Sequence, residues 1–178
     1  MTFKDLQMLS LNYYQQLDVK NHTLWQQPRH QTAALVSLEV QLANFAQATG
    51  LETGVVDNPQ LAPRATQLEQ FTKCLRTFFL FANLLNWNEL CRPTDEQLTR
   101  LSNLTPDEPN TRATLYLMVN RLVLTAYYEK QATAFQHAWS LFLKWGLVDS
   151  GFSISQLTTT LQQQVAALQT PRAPENGR

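Results

Sequence analysis

A chain of 178 residues is the size of one domain, and with 44% hydrophobic residues it can bury a sizeable core. Fourteen basic and fourteen acidic residues cancel and no basic run stands out, so no field collects nucleic-acid phosphates. Five glycines argue against a turn-rich β protein, and the longest apolar stretch, residues 78–85, is far short of the ~20 residues that span a bilayer.

Taken in chain order, the first element is a helix over 3–18. Leu6, Leu9, Tyr13 and Leu17 recur at helical spacing, and Thr2 is placed to cap it. Residues 21–28 read as a linker, with Trp25 tucked onto the body. A second helix over 30–49 carries Ala34, Leu35, Leu38, Leu42 and Phe45 on one face, and Gly50 stops it. Residues 50–63 hold two Gly and two Pro and read as a loop.

The helix over 64–85 follows. Leu68, Phe71, Leu75, Phe78, Phe79, Ala82 and Leu85 make it apolar on more than one face toward its end, which predicts a central position. Trp87 to Leu90 extend it as far as Pro93. Thr94 and Gln97 form a capping-box pattern for a short helix to about Leu104. Amphipathic helices are predicted over 110–130, over 132–147 with a stop near Gly146, and over 154–169. The tail, 171–178, has no apolar face and is expected to be disordered. No segment alternates strictly. The expectation is an all-α single domain over 1–170, a compact bundle of about five to six helices. With no signal peptide in the N-terminal residues, the expected location is the cytoplasm.

Few residues offer chemistry. His22, His30 and His137 sit in no recognisable motif and read as surface or core-edge side chains. Cys74 and Cys91 lack CxxC spacing and read as buried thiols. A metal between facing helices needs several carboxylates aimed inward. The 30–49 helix has one acid, Glu39, and the 64–85 helix has one, Glu69.

The order of these helices resembles the dimeric all-α dUTPases, a branch of the all-α nucleoside triphosphate pyrophosphatases. Residues 13–20 (YYQQLDVK) look like a relaxed form of the family's opening MQKELDERI. Residues 38–44 (LEVQLAN) align with its ELGELAN, and residues 68–80 (LEQFTKCLRTFFL) are similar to its LEEYVDCLHFIL. Gly151-Phe152-Ser153 is placed like the turn before its last helix. The resemblance implies an ExxE and an ExxD metal-binding pair. Here those four positions are Leu38, Gln41, Gln70 and Lys73, and a late Lys-Asn pair falls on Gln164 and Val165.

Those replacements remove the clustered negative charge that holds Mg²⁺. Lys73 puts a cation where the ion would sit. At ~4 Å and an effective dielectric of ~20, even two unit charges repel by about 4 kcal/mol. Lys73 can instead pair with Glu69 or with Glu39 on the facing helix.

The resemblance therefore implies a dUTPase-like protein that has lost its metal carboxylates and acts by nucleotide or protein binding, with Lys73 and Arg76 as anion contacts. No catalytic residue, no metal and no cofactor are expected. One alternative is an active pyrophosphatase in which Glu39 and Glu69 still hold Mg²⁺. Another is an unrelated helical interaction module. A homodimer is expected, because the aromatics of 78–87 and Trp139, Phe142 and Trp145 exceed what one bundle buries. Neither nucleic acid nor membrane is an expected partner.

Overall fold

A computed structural model describes residues 2–51 and 61–169. The described residues contain seven α-helices and no strand: α1 (Phe3–Lys20), α2 (Gln27–Ala48), α3 (Arg64–Leu84), α4 (Asp95–Ser102), α5 (Arg112–Glu129), α6 (Ala132–Lys144) and α7 (Ile154–Gln169). The expected count is about five to six; seven stand, and the short helix expected after Thr94 is among them as α4. The disordered tail expected over 171–178, and most of the loop expected over 50–63, lie outside the described residues.

The helix starts follow from local hydrogen bonding. Thr2 and Asp5 form a reciprocal capping box at the head of α1: the Asp5 N–H donates to Thr2 Oγ1, and the Thr2 N–H donates to Asp5 Oδ2 at 2.7 Å. The Thr94–Gln97 pair opens α4 in the same way. By contrast, α2 begins three residues earlier than its apolar face suggested. Pro28 lies in its first turn, where a missing N–H costs nothing. Trp25 is partly exposed; it stacks on His30 at 4.5 Å, and its indole N–H donates to Asp18.

The central position of α3 is clear from its burial. Every residue from Cys74 to Ala82 is buried, and the helix packs against α1, α2 and α7. It does not continue through Trp87. Asn86 takes a left-handed backbone (φ 60°), a conformation Asn tolerates, and a 3₁₀ turn runs from Asn88 to Cys91. Helix α5 packs against α2 and α6, and it ends on Lys130, also left-handed.

Gly146 does not stop α6. The helix runs on into a π-helical turn, Trp145–Asp149, that contains it. The glycine is needed for space: a Cβ there would lie 2.0 Å from Phe71 Cζ. Phe71 stacks on Phe142 at 4.5 Å and meets Phe45 edge-on at 5.1 Å. Phe78, Phe79, Phe81, Trp139, Phe142 and Trp145 all lie in this same core, so they offer no face to a second copy. Cys74 and Cys91 are free and buried. No described helix is long and apolar enough to cross a membrane.

Candidate functional site

Helix α3 presents Glu69, Lys73 and Arg76 at spacings of four and three, so they lie along one face. Lys73 Nζ sits 2.7 Å from Glu69 Oε1, so of its two candidate partners it takes Glu69. Arg76 points inward and is only 8% exposed. Its Nη1 donates to Gln164 Oε1 on α7 at 2.7 Å, and its guanidinium lies over the Tyr13 ring on α1, 3.6 Å from the centroid. Among the described residues Arg76 has no carboxylate partner, and its Nε donates to nothing.

Lys73 and Arg76, but not Glu69, line a cleft of about 310 Å³ between α1, α3 and α7, bounded by Tyr13, Lys20, Lys73, Arg76, Gln164, Ala167 and Leu168. Lys20 Nζ donates to the Leu168 carbonyl at 3.0 Å and brings a third cation. Tyr14 fixes the wall behind. Its hydroxyl shares a 2.8 Å hydrogen bond with Thr77, whose Oγ1 donates to the Lys73 carbonyl. Burial pushes the Tyr14 hydroxyl above its ordinary range, opposed by the charge of Arg76.

The electrostatics of this cleft are one-sided. A charge taken out of water is costly unless it is paired. A hydrogen bond to a neutral amide and a cation–π contact offset only part of that cost. The arrangement suits an oxyanion, which would supply the missing charge and accept from a planar, fixed donor fork.

The other sequence-predicted positions lie elsewhere. Leu38 is fully buried in the hydrophobic core and offers no ligand atom. Glu39 and Gln41 are partly buried on α2, each with an Oε1 that accepts no hydrogen bond among the described residues. Burial pushes the Glu39 carboxyl up to about 7. It stands near Cys74, whose thiol is raised by burial first and by the Glu39 charge second. Gln70 is partly buried on α3. None of these four lines the cleft. Among the described residues no three His, Cys, Asp or Glu side chains gather closely enough to hold a metal ion.

The structure thus joins Lys73 and Arg76 to Gln164, which the alignment reached only through the late Lys-Asn pair. Sequence reasoning missed Tyr13 and Lys20 as site residues. Their spacing of seven on one face of α1 was a signal, but Tyr13 read simply as core. The chain matches no family model, no curated protein and no solved structure.

Proposed function

We propose that this protein is a dUTPase-like binding protein that takes a phosphate-bearing ligand of the nucleotide class in the α1–α3–α7 cleft and does not hydrolyse it. The observation that carries the reading is Arg76, a guanidinium more than nine-tenths buried, without a carboxylate partner among the described residues, lining a cleft with two lysines. Loss of hydrolysis follows from the donors at the four aligned positions, which do not fit a hard divalent ion. Leu38 is sealed in the core, Gln41 and Gln70 are neutral, and Lys73 is a cation already paired to Glu69. The common core of α2, α3, α5 and α6 supports the dUTPase-like framework.

The test is incubation with dUTP and related triphosphates plus Mg²⁺ or Mn²⁺, with products separated by chromatography, alongside calorimetric titration of dUMP. Binding without turnover is the expected result. Metal-dependent release of monophosphate, lost on Glu39→Ala or Glu69→Ala, would overturn the non-catalytic reading. A homodimer belongs to the same proposal. Exposed apolar side chains suited to form it include Val36 and Val40 on α2 and Leu117 and Met118 on α5, two helices that pack together. A monomer by light scattering at working concentration refutes it.

A further inference from the structure

The cations of the cleft are not equivalent. Arg76 is fixed: buried, stacked on Tyr13 and tied to Gln164. Lys73, one turn before it on α3, is held by an anion of the protein itself. Glu69 does not line the cleft and stands half in water, 50% exposed, while Lys73 is 31% exposed. An exposed pair four residues apart is a weak tie, because water screens it and both side chains lose freedom in forming it. Glu69 can therefore release Lys73 and remain solvated, whereas Arg76 has no comparable relief.

We propose that Glu69 is an internal competitor for the cleft: an entering phosphate monoester dianion draws Lys73 away from Glu69 and is held by Lys73 and Arg76 together. This rests on the anion-binding reading given above. The charges match the exchange. Two cations meet two negative charges, and the one charge released returns to water. Lys20 stays on the neutral Leu168 carbonyl and is free to turn its remaining donors to the ligand.

The competitor sets a threshold. In the empty protein part of the positive charge is cancelled, so weakly held monovalent anions gain little from Lys73. A dianion gains from both cations and overcomes the tie. Removing Glu69 tightens binding only by what the tie is worth, about two- to fivefold. That is about 0.4–1 kcal/mol at ~1.4 kcal/mol per tenfold.

The experiment titrates inorganic phosphate, then dUMP, into the full chain by calorimetry, at low salt and a pH where phosphate is mainly a dianion. Four proteins are compared: wild type, Glu69→Gln, Lys73→Ala and the double variant. Neither side chain belongs to the buried core, and circular dichroism verifies that each variant folds. The expected results are tightening by Glu69→Gln, weakening by Lys73→Ala, and no effect of Glu69→Gln when Lys73 is already gone. Tightening that persists in the Lys73→Ala background would overturn the proposal, because Glu69 would then act as a general repelling charge. Wild-type binding unaltered by Glu69→Gln would overturn it as well while leaving the anion site standing. No binding by wild type or by Glu69→Gln removes the anion site and this proposal with it.

Discussion

Gly146→Ala is the sharpest test of the packing at the centre of the fold. The added methyl would sit 2.0 Å from Phe71 Cζ, 2.2 Å from Cε2 and 2.7 Å from Cε1. Non-bonded carbons rest at about 3.5–4.0 Å, so the ring would have to recede by about 1.5 Å. It has nowhere to go: Phe142 stacks on it at 4.5 Å, Phe45 abuts it at 5.1 Å and Phe152 lies at 5.6 Å. Overpacking of this kind costs about 1–3 kcal/mol or more, against a gain of up to ~1 kcal/mol from replacing a helical glycine. The depth of the overlap puts the cost at the upper end of that range, so the net expectation is a loss of about 2 kcal/mol, a lowering of Tm by roughly 4–8 °C. Urea unfolding followed by circular dichroism measures it. A Phe71→Leu companion separates the cause: the double variant should be more stable than the sum of the single losses by about 1 kcal/mol. A Gly146→Ala midpoint within about 0.5 kcal/mol of wild type, or strict additivity in the cycle, would refute the account of Gly146 as a position of close approach.

Other consequences are open to measurement. Burial raises the Glu39 carboxyl from an ordinary 4.5 to about 7, so between those values the unfolded chain ionises while the folded protein keeps its proton. Stability should fall as pH rises through that window and level off above it, and Glu39→Gln should flatten the profile; parallel wild-type and variant profiles in urea melts would sink this. Lys144 bridges Asp107 at 2.7 Å and Asp149 at 3.0 Å, and Asp149 is 3% exposed. Burial alone would lower the Lys144 ammonium, but its hydrogen bonds to the two aspartates outweigh this and hold it above its ordinary range. Lys144→Met leaves Asp149 buried without its cation and should cost about 3–5 kcal/mol, while a loss under ~1 kcal/mol would contradict the pairing. Both cysteines are buried, with thiols pushed up by burial, so a thiol reagent should react only as fast as the protein opens. Rapid modification of the native protein would argue against that burial.

The helices were legible because their signals are local. The apolar spacing of α2 and α3 marks the buried face without any tertiary information, and the capping patterns at Thr2 and Thr94 locate two starts to the residue. What was not legible depended on distant neighbours. Gly146 looks like a stop in sequence, and only the arrival of Phe71 from α3 shows why a glycine sits inside a π turn. Asn86 carries no sign of its left-handed backbone. The site was half legible. Lys73 and Arg76 stand out as cations on a largely apolar helix, whereas Tyr13 and Lys20 join them only because α1 lies across α3. The aromatics that suggested a second copy are consumed by a core larger than their number implied.

The cleft is assembled from residues far apart along the chain. Arg76 reaches Gln164 across 88 residues, and Lys20 reaches the Leu168 carbonyl across 148. The first and last described helices meet over α3, and the cleft's walls exist only while both are docked. The anion proposed for it would work as a clasp. Without affinity for a state in which α7 has peeled away, it would raise the cost of that opening by RT ln(1 + [L]/Kd). Ligand concentration would thus be read out as hydrogen-exchange protection of α1 and α7, helices that do not adjoin the Gly50 turn or the Lys130 bend.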